Sequence, residues 1–391
     1  MNCGFCEAVC PTFQVTFNSS IGARGRVEIA KYLVASPTSE LRLTIFNSFY
    51  SCLNCSACLS VCPVGINAGR VSSLARKQIV SNGMKGGIAE AIVSVTSRYG
   101  SPLAISPNMD RILKGTKSLE DSDTLLYTGQ MYSLAACSSS FSKMEKILGA
   151  KLSDLAGRFI AMFPVTMKLI SVAMRGRDRK LYEDSVRAIS ALLSKSGVPF
   201  KFMEKEPYPG TFLLDLGYED EFREYASGIA SAFKSMGIRR IITADPHTYN
   251  LLKYDYPKYV DNFDFEILFY TDLLKSQNLE RTGETVVFHE PCHIARGNEP
   301  LSSPLAILRG AYRVLLPQRS GSMTACCGGP DELMFPSMGE KISEVRYEEL
   351  RSMGEYKIVT ACPVCLSNLR KDKMVTDLSL VLNVSGSSRG P

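Results

Sequence analysis

The chain has 391 residues, 45% hydrophobic and 21% charged, with a formal net charge of +6. That length suits two or three domains, and the mild charge does not by itself argue for nucleic acid. No apolar run reaches the roughly 18 residues of a membrane-spanning helix; the best candidate, 159–174, contains Pro164 and Lys168. The N-terminus does not read as a basic region followed by an apolar one, so a cytoplasmic protein is expected. The excess is in cysteine: of thirteen, seven lie in 3–62 and five in 292–365, leaving Cys137 alone. In a large chain of this kind, metal ligation is expected before disulfides.

The first run is Cys3, Cys6, Cys10 and Pro11; the second is Cys52, Cys55, Cys58, Cys62 and Pro63. The second has the spacing C-x2-C-x2-C-x3-C-P, in which three thiolates face one cluster and the fourth, before proline, serves the other. Soft thiolates select iron–sulfur, zinc or Cu(I), but zinc needs only C-x2-C pairs. Two [4Fe–4S] clusters follow. One takes Cys52, Cys55, Cys58 and Cys10; the other takes Cys3, Cys6 and Cys62. With the two prolines aligned, the counterpart of Cys52 falls one residue before Met1. Either the start is an internal methionine with a cysteine upstream, or the site has three cysteines and holds a [3Fe–4S] cluster or a [4Fe–4S] cluster with another ligand. Between the runs, "RGRVEIAKYLV" reads as a helix with one apolar face.

Beyond an expected linker at 91–120, five cysteines recur: Cys292, the pair Cys326-Cys327 followed by Gly328-Gly329, then Cys362 and Cys365. Adjacent cysteines fit a tetrahedral zinc site poorly, and five thiolates exceed what a closed one uses. The paired glycines suit a tight backbone approach to a bulky group. "ETVVFHEPCH" and "YKIVTACPVC" read as strands delivering Cys292 and Cys362 to one sheet edge.

The pattern C-x(31–39)-C-C-x(33–38)-C-x2-C resembles the cysteine-rich CCG domain. That domain occurs in heterodisulfide reductase catalytic subunits and in the iron–sulfur subunits of glycolate oxidase, lactate-utilisation oxidase and anaerobic glycerol-3-phosphate dehydrogenase. "GARGRVEIA" and "HEPCH" also look like features of that family. The resemblance covers nearly the whole chain. It implies that Cys292, Cys326, Cys327, Cys362 and Cys365 hold a further iron–sulfur cluster, non-cubane in heterodisulfide reductase, and that two CCG copies are present.

The first copy is visible as an internal repeat. "RIITADPHTYNLLK" (240–253) aligns with "KIVTACPVCLSNLR" (357–370), which sets Asp245 against Cys362 and Thr248 against Cys365. Gln130 stands in the place of the opening cysteine, and the CCG element is missing near "EKEPYPGTFLLDLG". This copy reads as a retained fold with an emptied metal site, although Asp245 and His247 could still bind zinc or a polar group. It is 45 residues longer than the second, with the excess around 138–200. Within 142–180, nine Lys/Arg stand against Glu145, Asp154 and Asp178. Two readings stand: docking to a membrane interface or an acidic partner, or a helical hairpin with a solvated basic edge. His289 and His293, flanking Cys292, either bond cluster sulfurs or satisfy strand ends. Cys137 reads as a small buried hydrophobe.

The expected fold is therefore α+β multidomain: a helical two-cluster ferredoxin domain (1–90), a linker (91–120), a degenerate α/β CCG domain (121–275), an intact one (276–383) and a disordered tail (384–391). No P-loop is present, no GxGxxG follows a strand, and nothing reads as a site for FAD or NAD. The chain is expected to be an iron–sulfur electron-transfer subunit of an oxidoreductase. The resemblance implies a flavoprotein dehydrogenase partner acting on glycolate, D-lactate or glycerol 3-phosphate. It also implies a membrane or quinone-linked acceptor on the inner face. The alternatives are a heterodisulfide reductase-like catalytic subunit and a zinc-binding adaptor.

Overall fold

The computed structural model describes residues 3–35, 43–116, 118–173, 178–275, 279–329 and 334–384, with no side chains for 43–44, 138–148, 150 and 173. The residue expected before Met1, the tail from 385, Arg175 and Arg177, and the side chains of Lys143 and Lys146 lie outside the described residues.

The N-terminal part is helical. Ala23–Ala35, the helix read from "RGRVEIAKYLV", packs with Leu43–Tyr50 and Ala68–Ser81. Asn67 caps the last of these, its Oδ1 accepting from the amides of Gly69 at 2.9 Å and Arg70 at 3.3 Å. Two buried arginines brace this part. Arg26 donates to Ser48 O at 2.7 Å and to the hydroxyls of Thr12 and Ser51. Arg76 donates to the carbonyls of Phe49, Cys52 and Asp215, so it ties the helical part to the sheet that follows.

Residues 91–120 are not a linker. Helix Gly87–Tyr99 straddles the expected boundary at 90, and Ile92, Val93, Val95, Leu103, Met109 and Ile112 join the main core. The apolar spacing of 88–95 is helical and gives a face that must be buried.

Two parallel sheets follow. The first is β1 (Thr124–Tyr127), β2 (Arg240–Thr243) and β3 (Glu266–Phe269), in the order β1-β2-β3. The second is β4 (Thr285–His289), β5 (Arg313–Leu315), β6 (Lys357–Thr360) and β7 (Val375–Asp377), in the order β5-β4-β6-β7. A parallel bridge from Leu125 to Lys201 stands where β5 flanks β4. The two sheets are thus one repeated topology.

The halves meet through matching contacts. Ser379 Oγ donates to Ser185 O at 3.0 Å, on helix Arg179–Lys195 of the first half. The hydroxyls of Thr271 and Ser303 bond at 2.7 Å, the latter on helix Ser303–Ala311 of the second. Tyr132 Oη reaches Asp377 Oδ2 at 3.1 Å, and Asn250 Nδ2 reaches His293 O at 2.9 Å. One hydrophobic core runs through both halves.

The insertion at 138–200 is built of Met131–Met162, broken at Gly149 (φ 74°), then Val165–Ala173 and Arg179–Lys195. Among the described residues no single helix is long and apolar enough to cross a membrane.

Candidate metal centre

In the N-terminal part, Cys10, Cys52, Cys55 and Cys58 line one void of about 20 Å³ together with Arg26. These are the four residues that the crossover spacing groups together. Burial, and then the neighbouring Cys55 and Cys52, pushes the Cys58 thiol up to about 12. The guanidinium of Arg26 approaches Cys10 Sγ at 3.7 Å. The second group is more open. Cys6 lies beside Cys62 and Cys10, and burial, partly offset by its backbone, raises its thiol. Cys62 Sγ accepts from the Ile66 amide at 3.2 Å, and such amide bonds hold its thiol below the usual value. Cys3 is exposed.

In the second half, β4 ends at His289 and β6 at Thr360, and the chain then turns Cys292 and Cys362 inward, each at the start of a short helix. The strand-end reading of "ETVVFHEPCH" and "YKIVTACPVC" thus matches the topology. Cys292, Cys326, Cys327, Cys362 and Cys365 are all buried. Their sulfurs form one hydrogen-bonded chain. Cys326 has one proton and three neighbouring sulfurs that can accept it, those of Cys292, Cys327 and Cys55, which raises its own thiol. Cys292 and Cys327 are correspondingly held well below the ordinary value. Burial, and then donation to Cys327, raises Cys365.

Cys55 lines the void of the first run, yet it also packs against Cys292 and Cys326 of this third group. The bond from Cys326 brings its thiol down to about 6. Arg296 fastens the junction, donating from Nε to Cys55 O at 2.7 Å and from Nη1 to the carbonyls of Ser322 and Thr324.

His289 is oriented by a residue the sequence did not single out. Arg346, buried on helix Pro336–Arg351, donates from Nε to His289 Nδ1 at 3.1 Å. That bond leaves the ring proton on Nε2. Burial holds His289 neutral. Nε2 has no partner by hydrogen-bond geometry, but it lies within 4.8 Å of the sulfurs of Cys327 and Cys365. A protonated Nε2 is a donor and not a metal ligand. His293 Nδ1 stands 3.4 Å from Cys292 Sγ. Burial opposes its charging, but the adjacent Cys292 thiolate lifts it to about 9. The His293 ring lies 4.1 Å from that of His247. Neither histidine beside Cys292 merely satisfies a strand end.

The paired glycines do something other than expected. Gly328, at φ 90°, is so close to Gly339 that a Cβ would overlap its carbonyl oxygen. The close approach is to helix Pro336–Arg351, not to the site.

In the first half the thiol positions carry oxygen. Tyr127 pairs with Thr243 as His289 pairs with Thr360, so Gln130 takes the place of Cys292. Asp245 Oδ1 caps helix Pro246–Asn250, accepting from His247 N at 2.9 Å and Thr248 N at 3.0 Å. Buried Glu206 accepts from the amide and hydroxyl of Thr128, and Gln130 Nε2 donates to Glu206 O and to Gly100 O. Gly210, at φ 92°, meets helix Glu219–Ser235 as Gly328 meets Pro336–Arg351. Among the described residues Asp245 and His247 close no metal-ligating group. Cys137 packs against the core, and burial raises its thiol.

Buried sulfurs this dense, one orphaned imidazole nitrogen aimed at them and no acidic group among the donors fit iron–sulfur clusters. The same burial would be costly for unpartnered thiolates.

Comparison with known proteins agrees. Residues 1–66 match the 4Fe-4S dicluster domain family and residues 286–370 the cysteine-rich domain family. The "Probable iron-sulfur-binding oxidoreductase FadF" of Bacillus subtilis is 32% identical over 194 residues, 46% of this chain and 27% of that protein. A dihydromethanophenazine:CoB–CoM heterodisulfide reductase subunit of Methanosarcina barkeri is 21% identical over 418 residues, covering 97% of this chain and 90% of that protein. A "Probable glycolate oxidase iron-sulfur subunit" of B. subtilis is 22% identical over 397 residues, 95% and 87% of the two chains. The chain thus spans only about a quarter of the FadF protein but most of the other two. The chain carries a 4Fe-4S dicluster domain followed by a cysteine-rich domain, and it is similar to iron–sulfur oxidoreductases and their subunits.

Proposed function

We propose that the chain is an electron-transfer subunit, carrying electrons from a flavoprotein dehydrogenase towards quinone or a related acceptor, and that it works in the cytoplasm. The flavoprotein would oxidise a 2-hydroxy acid such as glycolate or D-lactate, or glycerol 3-phosphate. In this reading Cys52, Cys55, Cys58 and Cys10 hold one [4Fe–4S] cluster. Cys3, Cys6 and Cys62 hold a second, as [3Fe–4S] or with a further ligand. Cys292, Cys326, Cys327, Cys362 and Cys365 hold a third, non-cubane one.

The observation that carries the proposal is that Cys55, from the first run, packs in one cluster with Cys292 and Cys326. This supports a path between a residue assigned here to the first cluster and residues assigned to the third. The bound clusters would supply one-electron chemistry, taking a substrate's two electrons singly. The protein's own residues orient and insulate. Arg296 holds the junction, the Ile66 amide donates to the Cys62 sulfur, and Leu53, Ile342 and Met338 pack around Cys292 and Cys326.

The test is anaerobic purification of the tagged chain from its own cells, reading flavin, haem and visible absorbance together. A stoichiometric flavin subunit beside broad iron–sulfur absorbance is the expected result. A heterodisulfide reductase-like reading is favoured by a cleft of about 330 Å³ that reaches Cys292, His293, His247 and Cys55 between the three parts of the chain. Absorbance without flavin, with b-type haem and turnover of a disulfide, would overturn the first reading in its favour.

A further inference from the structure

The insertion presents its large apolar side chains outward. Leu152, Leu155, Phe159, Met162, Phe163, Val165, Leu169 and Val172 are each more than half exposed. They are eight of the twenty large apolar side chains exposed among the described residues, gathered in 21 positions. Phe159 and Phe163 touch, with ring centroids 5.1 Å apart.

The inner face is made of small residues. A Cβ on Gly157 would overlap the backbone of Gly87, and one on Gly87 would overlap Asp154 O. Ser94 Oγ donates to Ala161 O at 2.9 Å. This close seam with helix Gly87–Tyr99 fixes which side faces out. It inverts the usual pattern of a surface helix, whose apolar stripe faces the core.

The charge around this face is predominantly basic. Lys151, Arg158 and Lys168 are exposed on it, and Arg179 and Lys180 follow. Asp154, the one acidic residue from 150 to 173, is half-exposed and is engaged at the seam, accepting from Gly87 N at 2.6 Å and pairing with Arg158 at 2.9 Å. The two helices bend by 118° at Phe163-Pro164, so they form a sharp V rather than a straight span.

We propose that this V is a monotopic membrane anchor that seats in the interface of an anionic bilayer. Its apolar side chains would enter the headgroup boundary by about 5–10 Å, with the lysine and arginine stems reaching back to lipid phosphates. A protein partner with an apolar surface would not call for the basic rim, and a second copy of the chain would set like charges against each other. The inference stands apart from the electron-transfer reading, because it needs no cluster to be loaded.

The test is flotation of the full holoprotein with vesicles of phosphatidylglycerol and phosphatidylcholine. Wild type is expected to float with these and about tenfold less with pure phosphatidylcholine or in high salt. The Phe159→Asp/Leu169→Asp variant is expected to stay behind with unchanged iron content and visible spectrum. The chain has no tryptophan, so a Leu155→Trp variant gives a single fluorescent probe, expected to be quenched by brominated acyl chains. Absent flotation of wild type, equal flotation of the double variant, or an unquenched indole in the Leu155→Trp variant would each overturn the proposal. So would a solution dimer that the double variant converts to monomer without any vesicle binding.

Discussion

Arg296, on the cysteine-rich half, donates from Nε to the carbonyl oxygen of Cys55 in the N-terminal run at 2.7 Å. The same guanidinium reaches the carbonyls of Ser322 and Thr324, so one side chain bolts two groups of thiols together. Replacing it with alanine removes charged hydrogen bonds at a partly buried junction, at a cost of about 2 kcal/mol. The Arg296→Ala variant is expected to keep its iron but to lose magnetic coupling between centres in the electron paramagnetic resonance of the reduced protein. Unchanged coupling would show that Arg296 does not hold the junction.

Arg346 occupies Nδ1 of His289, which leaves Nε2 as the ring's donor, and the ring lies within 4.8 Å of the Cys327 sulfur. A hydrogen bond to sulfur stabilises the reduced, more negative centre. Removing one worth about 1 kcal/mol in the His289→Ala variant is expected to lower that centre's midpoint potential by roughly 40 mV. Arg346→Met, which frees the tautomer, is expected to lower it less. A potentiometric titration followed by electron paramagnetic resonance reads both.

Glu206 is buried in the first half, and burial, only partly offset by its bonds from Thr128, raises its carboxyl to about 7 from an ordinary 4.5. A raised folded-state value means that the folded protein holds the proton more tightly. Stability from this group is therefore full below about pH 4.5 and is lost as pH rises through 7, by about 3 kcal/mol. Glu206→Gln removes the titration. It is expected to flatten the denaturation midpoint between pH 4.5 and 7 and to raise it at pH 8 relative to wild type. A slope unchanged by the substitution would remove Glu206 as its source.

Asp245 stands where the second half has Cys362, but it works as a helix cap. Asp245→Ala is expected to cost about 1–2 kcal/mol in thermal or denaturant stability. Iron and acid-labile sulfide per chain should stay the same. A fall in iron would mean that the first half takes part in metal binding after all.

Much of the site was legible because cysteine spacing is local. The turn that holds Cys52, Cys55 and Cys58 together lies within one short segment, and the strand-then-cysteine pattern recurs at Cys292 and Cys362. The repeat of 240–253 on 357–370 was legible for the same reason. What stayed hidden was long-range. No spacing says that Cys55 meets Cys326, since the two are brought together only by docking of the helical part on the sheets. Arg346 left a faint mark, as a charge on the buried stripe Ile342, Arg346, Leu350 of its helix. Arg26, within "GARGRVEIA", carried no sign that its guanidinium would be buried beside Cys10. The stretch 91–120 was misread because its helix spans the expected boundary, and the glycines after the cysteine pair were assigned to the wrong neighbour.

The oxygen-filled half has a consequence for how the protein matures in the cell. Asp245, Gln130, Glu206 and Thr128 bond to their own backbone and to one another, so β1, β2 and β3 can fold before any iron arrives. That half leaves the ribosome ahead of the five cysteines from Cys292 to Cys365, and Arg76 latches it to the N-terminal helices through Asp215. Cluster delivery then meets a finished platform rather than a loose chain. Iron-starved cells are therefore expected to accumulate a protease-resistant fragment ending near residue 275, with the cysteine-rich remainder degraded.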